Sequence, residues 1–352
     1  MMNDSPHRAT LSPPAFHFAQ DLALEKLAAL LWHAHQHVRT SVRQALMQSS
    51  AADLAAVAAE TQMDTLFRID EIAEKSLLEY LDAHQAEAPP FLLVGEFETG
   101  EALAFGKGEP RYRVLFDPID GTRLLMYAKN SGWILSGILP EKGADSRLAD
   151  VLFALQTEIP LLKHLYAETY WAMPGRGAFH FHENLLTGTH TIAEVHARAS
   201  KEFLHGFVSF VNFFPHGKTT MAALEEDFLK NALAQQAFTA APVFEDQHLS
   251  TAGQLQALWQ GQLKLVVDVR PQLNRMWRAQ NKPTVLCAHP YDLSTWLIAH
   301  EAGVVLLSPS GAAFDGQADA VSEIGWIGFT HSTLAQRYCE LLLQTLQRHG
   351  LD

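Results

Sequence analysis

The chain has 352 residues, 48% of them hydrophobic, and a net charge of −13 with no long basic run. That length suits roughly two domains, the acidity argues against nucleic acid as the main ligand, and no apolar run approaches the about 20 residues of a membrane span. The two cysteines, Cys287 and Cys339, make neither a metal motif nor a disulfide framework and fit a reducing compartment.

The first residues, Met1 to Pro14, are polar and lack a signal-peptide core, so the expectation is a cytoplasmic protein with a disordered tail over 1–18. Apolar residues from Leu22 to Val38 recur at helical spacing and predict a helix over 19–48. A short helix over 52–60 and a third from Asp70 to Leu81 follow. Phe91 to Val94 reads as a strand ending at Gly95-Glu96, and Gly100 to Pro110 as a glycine-punctuated loop or hairpin. Val114 to Phe116 is a second strand, Leu124 to Met126 opens a helix, and Trp133 to Leu139 is a third strand. Leu165 to Met173 turns through Pro174-Gly175-Arg176-Gly177 and returns over Ala178 to Phe181, a hairpin signature. His180 and His182 share one face of it, on the solvent side.

Beyond about residue 185 the pattern changes. Strands are expected over Phe207–Val211, Leu263–Val269, Val304–Leu307 and Ile324–Phe329. Helices are expected over Met221–Leu233, Thr251–Trp259 and Tyr291–Ala302, the last closed by Gly303, with a final helix capped by Ser332 and reaching Arg348. The reading is a layered α/β (α+β) protein with two lobes, 19–185 and 186–352.

The densest chemistry is Asp117-Pro118-Ile119-Asp120-Gly121-Thr122, between an apolar strand and a helix start. Ligand sites of α/β proteins collect at such strand ends. Pro118 stiffens the turn, and two carboxylates aimed at one point raise each other's pKa unless a cation relieves them. Mg²⁺ suits hard oxygen ligands. Gly121 permits close backbone approach, and N–H groups at a helix start favour phosphate. A surface turn with a helix cap is the plain alternative; an isolated Asp-x-x-Asp means little in a chain with 39 acidic residues.

With Gly95-Glu96 upstream, the helix Asp70-Glu71-Ile72-Ala73-Glu74-Lys75, the turn Met173 to Phe179, and Tyr291-Asp292 followed by Glu301-Ala302-Gly303, this string resembles the inositol monophosphatase family of metal-dependent, lithium-sensitive sugar phosphatases. The resemblance spans about residues 20–330. It implies an αβαβα fold with the site between two lobes, two to three Mg²⁺ ions, and hydrolysis of a small phosphate monoester. Glu96, Asp117 and the Ile119 carbonyl would hold the first ion, and Asp117, Asp120 and Asp292 the second, with a third leaning on Glu96. Asp70 and Thr122 would orient the attacking water, and the Gly121 and Thr122 N–H groups would grip the phosphate. Candidate substrates are an inositol monophosphate or a sugar phosphate, with fructose-1,6-bisphosphatase-like or adenosine 3′,5′-bisphosphate phosphatase activity, or a non-catalytic regulatory homologue, as alternatives. A homodimer is implied by the family only.

Departures from the family pattern concern the third ion, at Phe97, and the substrate side, in the late segment. Phe97 stands where a second Glu is usual, with Glu98 next to it. Ser294-Thr295-Trp296 replaces Ala-Ala-Gly, and Arg123-Leu124-Leu125 replaces an Asn-Phe pair. Asp268 and Arg270, after Val266-Val267, read either as substrate contacts or as strand-end charges. Asn212 to Thr219 resembles a P-loop, yet Asn212 stands where glycine is needed and Pro215 has no N–H to give a phosphate.

Overall fold

A computed structural model describes residues 12–16, 21–60, 65–97, 102–234 and 242–352. Most of the expected tail lies outside these residues, as do Gly100 and Glu98. Phe16 is a correction to that tail: it is buried with its ring edge-on to Trp32, Phe153 and Trp171. An aromatic ring removes too much apolar surface from water to be left out of a neighbouring core.

Helix α1 (Leu22–Gln48) begins where Asp21 caps the Ala23 and Leu24 N–H groups. Next, α2 (Ala51–Leu54) is a four-residue turn closed by a Ser50/Asp53 capping box. The expected helix over 52–60 stops there: β1 (Val57–Glu60) pairs antiparallel with β2 (Thr65–Phe67). Val57 disfavours helix continuation, and strand pairing outweighs the helical preference of the alanines. Helix α3 (Arg68–His84) then packs beside α1.

The eight-stranded sheet comes next. It contains β3 (Phe91–Gly95), β4 (Leu103–Phe105), β5 (Tyr112–Asp120), β6 (Gly132–Pro140), β7 (Phe153–Ile159), β8 (Tyr166–Ala172), β9 (Ala178–Asn184) and β10 (His190–Val195) in the order β10-β9-β8-β7-β6-β5-β3-β4. Short helix α4 (Thr122–Met126) links β5 to β6. Only β3 and β5 run parallel within it; the other neighbours are antiparallel. Central strands β5 and β6 are buried on both faces, which is why they read as continuous apolar runs. The boundary expected near 185 falls inside this sheet, because β10 runs on to Val195 and pairs with β9.

The second sheet has the order β12-β11-β13-β15-β14, from β11 (Gly206–Phe210), β12 (Val243–Glu245), β13 (Leu263–Asp268), β14 (Val305–Leu307) and β15 (Trp326–Phe329). Its helices are α5 (Lys218–Ala232), α6 (Thr251–Trp259), α7 (Arg270–Ala279), α8 (Trp296–Ala302) and α9 (Ser332–Arg348). Three apolar cores define five layers. One joins α1 and α3 to the first sheet, the next places α6 and α8 between the sheets, and the last joins α5, α7 and α9 to the far face of the second sheet.

Two further local expectations change. The helix expected from Tyr291 starts at Trp296, after a run of tight turns in which Ser294 N bonds to Tyr291 O and Trp296 N to Leu293 O. His331, not Ser332, caps α9, its ring nitrogen accepting the Thr333 N–H at 3.2 Å. Strand β7 and helix α7 had no distinct sequence signal. No helix among the described residues is long and apolar enough to cross a membrane.

Candidate active site

Strand β5 carries the acidic string to the sheet's end. Residues three apart on a regular strand face opposite sides. The β5–β6 register shifts between Asp117 and Asp120, and this irregularity turns both carboxylates to one cavity. Gly121 then adopts φ +88° to start α4, and a Cβ there would lie 3.1 Å from Ser250 Cβ. At the end of the parallel neighbour β3, a Cβ on Gly95 would lie 1.8 Å from the Phe116 carbonyl oxygen, so only glycine lets the two strand ends close.

The cavity is bordered by Asp70, Glu96, Asp117, Ile119, Asp120, Gly121, Thr122 and Asp292, among others. One carboxylate oxygen from each of Asp117, Asp120 and Asp292 lies within 4.8 Å of the others. The Thr122 hydroxyl is 2.8 Å from Asp70 Oδ1 and 2.9 Å from the Ile119 carbonyl. Asp70 Oδ2 accepts the Phe67 N–H at 2.8 Å, in the first turn of α3, where the helix dipole favours negative charge. Asp292 is held by the His289 N–H at 2.6 Å.

Asp120 is gripped by a feature that the sequence reading missed. Ser250 Oγ donates to its Oδ2 at 2.9 Å, Ala252 N to the same oxygen at 2.6 Å, and Thr251 N to Oδ1 at 3.3 Å. These donors form the N-terminus of α6, so a helix from the middle layer points into the site. Ser250-Thr251-Ala252-Gly253 ahead of an apolar helix was the available signal, since Ser250 is an ordinary N-cap.

Burial drives the Asp117 carboxyl well above the carboxylate range, with the charges of Glu96, Asp120 and Asp292 adding to it. Burial, with Asp292 next, pushes Asp120 up to about 7 against the opposing α6 bonds. Asp117 Oδ2 is buried with no hydrogen-bond partner. Clustered buried carboxylates with an unpartnered oxygen fit hard divalent cations, which would supply the missing positive charge.

The substrate-side candidates divide. Arg270 borders the cavity, whereas Asp268 is fully buried behind it and engages its guanidinium at 2.8 and 2.5 Å. Phe213 and Phe214 flank that guanidinium at 5.4 and 5.5 Å. They belong to the P-loop-like segment, whose Lys218 ammonium instead donates to the Asn212 carbonyl at 3.0 Å. Arg123 borders the cavity with its guanidinium 5.1 Å from the Phe67 ring.

The departures in the late segment have packing partners. Ser294 lies against Gly137, where a Cβ would come within 2.6 Å of its carbonyl. Thr295 Oγ1 donates to Gln156 at 3.0 Å and Trp296 Nε1 to the Leu148 carbonyl at 2.9 Å. Phe97 is buried in the core under α1 and α3.

No protein-family model and no curated protein sequence matches the chain. Solved structures do. Leishmania major fructose-1,6-bisphosphatase in holo form superposes with TM-score 0.66 at 13% identity, covering 93% of this chain and 95% of that one. SaIMPase-II with bound inositol monophosphate gives TM-score 0.58 at 13% identity, with 92% and 95% covered. The inositol monophosphatase from Anabaena (Nostoc) gives 0.56 at 13% identity, with 92% and 96% covered. Five layers, end-to-end coverage and a carboxylate cavity at the β5 end together give this chain the fold of the inositol monophosphatase and fructose-1,6-bisphosphatase structures.

Proposed function

We propose that the protein is a Mg²⁺-dependent phosphatase acting on a small phosphate monoester, an inositol monophosphate or a sugar phosphate. The observation that carries this reading is the set of close carboxylates Asp117, Asp120 and Asp292, the first two buried and the third half-buried, beside the hydrogen-bonded Asp70–Thr122 pair. The inositol monophosphate held by SaIMPase-II, a protein of the same fold, supports the substrate class. Glu96, Asp117, Asp120, Asp292 and the Ile119 carbonyl would hold two to three Mg²⁺ ions. When bound, Mg²⁺ supplies Lewis-acid stabilisation of charge on the attacking and leaving oxygens.

The remaining chemistry belongs to the chain. Asp70 accepts the Thr122 hydroxyl proton, which leaves a Thr122 Oγ1 lone pair for a proton of the attacking water. The pair thereby orients the water in line with phosphorus and relays its proton to Asp70. Gly121 and Thr122 offer backbone N–H groups to the phosphate, and the curled β5 end holds both in position. Arg270, with Asp268 fixing its plane, and Arg123 border the rest of the substrate. The proposal includes a cytoplasmic enzyme that forms a homodimer, which light scattering on the purified chain checks.

Phosphate release from a panel of inositol, sugar and nucleotide monoesters, with and without Mg²⁺, tests the reading. Expected is Mg²⁺-dependent release from at least one of them, inhibited by millimolar Li⁺. Mg²⁺ binding without release from any substrate would instead establish a non-catalytic homologue.

A further inference from the structure

A second group of potential ligands lies outside the cavity. Glu168 on β8 and His180 and His182 on the neighbouring β9 each offer one ligand atom, and these atoms fall within 4.8 Å of one another. His180 and His182 are two apart on one strand, so their rings project from the same face. Glu168 is the direct cross-strand partner of His182. Its Oε1 lies 2.8 Å from His182 Nδ1, and its Oε2 contacts His180 Nε2. All three side chains are partly exposed, so an ion and its water ligands can reach them.

The surroundings hold these groups in place. Tyr170 stacks on the His180 ring at 4.9 Å and Tyr166 on the His182 ring at 4.8 Å. Behind them, Glu158 accepts the Glu168 N–H at 3.0 Å and the Ser131 hydroxyl at 2.5 Å. Orientation of ligating side chains by packed neighbours is what a metal site requires beyond its donors. The donor set also differs in kind from the all-oxygen site at β5. Two imidazoles with one carboxylate suit Zn²⁺ and its first-row neighbours far better than Mg²⁺, and three protein ligands leave a position open to water.

We propose that Glu168, His180 and His182 form a transition-metal site of the Zn²⁺ class on the β8–β9 hairpin, separate from the carboxylate cavity. A bound ion clasps β8 to β9 by replacing the carboxylate–imidazole contacts with bonds from all three side chains to one centre. The proposal does not depend on the phosphatase reading.

The test uses the full chain, freed of metal, carrying Asp117→Asn to weaken the carboxylate site. Titration with Co²⁺, followed by visible absorption and equilibrium dialysis, reports the coordination geometry and the number of bound ions. Expected is one Co²⁺ per chain with a d–d band that Zn²⁺ displaces and about 10 mM Mg²⁺ does not. A His180→Asn/His182→Asn variant loses that equivalent and band, and Zn²⁺ raises the melting temperature of the parent by several degrees but not that of the variant. Absence of a bound Co²⁺ with such a band in the parent overturns the proposal and leaves Glu168 as a carboxylate bridging two rings. So does an unchanged band and stoichiometry in the histidine variant.

Discussion

Asp117 and Asp268 are both buried near the ends of strands, and the chain treats them in opposite ways. Asp268 meets Arg270 through paired hydrogen bonds, so its charge is compensated inside the fold. Glu183 is handled likewise by Arg39 at 2.6 Å. Asp117 has the Ile119 N–H and a partnerless Oδ2, and the charges around it are negative. A buried ion costs several kcal/mol unless it is paired. The first arrangement positions an arginine at a cavity wall; the second leaves a deficit that a cation from solution would relieve.

The contrast can be broken at either end. The largest expected effect is at the uncompensated end: Asp117→Asn removes phosphate release to below detection while circular dichroism and the melting transition remain native-like. Wild-type-like turnover in that variant would sink the metal assignment. At the compensated end, Arg270→Ala strands the buried Asp268 charge and should cost about 3–5 kcal/mol of stability, read by urea denaturation. A loss under about 1 kcal/mol would show that Asp268 does not depend on its partner.

The pH dependence sharpens the same point. The Asp120 carboxyl is raised to about 7 in the folded state, so the metal-free fold holds its proton more tightly than the unfolded chain. That contribution to stability is fully present below the unfolded value of about 4 and is lost as pH rises through about 7, a change of a few kcal/mol. Metal-free protein should therefore melt lower at pH 8 than at pH 5, and saturating Mg²⁺ should reduce the difference. Asp120→Asn should reduce it, with the similarly raised Asp117 supplying the rest, and an unaltered slope in that variant would show that Asp120 does not contribute.

Asp70→Asn keeps the bond to Thr122 possible but removes the proton acceptor, and should lower kcat about 10²-fold with little change in KM. An equal loss in Thr122→Val would support the two acting as a unit. The smallest effect concerns the late segment. Trp296→Phe forfeits the bond to the Leu148 carbonyl and should cost about 1 kcal/mol of stability without altering turnover.

The residues whose chemistry is local were legible in the sequence. Apolar periodicity marked α1, α3, α6 and the central strands, because a helix or strand shows its buried face in its own spacing. Asp117, Asp120 and Thr122 stood out as candidates because two carboxylates, a glycine and a hydroxyl occur in one short string after an apolar strand, whereas Glu96 became a candidate only through the family resemblance. Strand β7 was not recognisable, since the polar Gln156 and Thr157 interrupt its apolar run although the fold buries both. The start of α8 was misplaced because contacts across layers, Ser294 against Gly137 and Thr295 against Gln156, hold 291–295 in turns.

By itself the sequence determined the layered α/β class, the acidic string at the end of β5 and the residue types able to hold a hard cation beside a phosphate. Tertiary structure alone decided how those groups meet. It curled β5 so that Asp117 and Asp120 share a cavity, aimed the N-terminus of α6 at Asp120, and paired Asp268 with Arg270 while leaving Asp117 to its acidic neighbours. The same packing set Glu168 opposite His182 on the hairpin. Burial and charge pairing depend on what surrounds a side chain, and those surroundings come from residues distant in the chain.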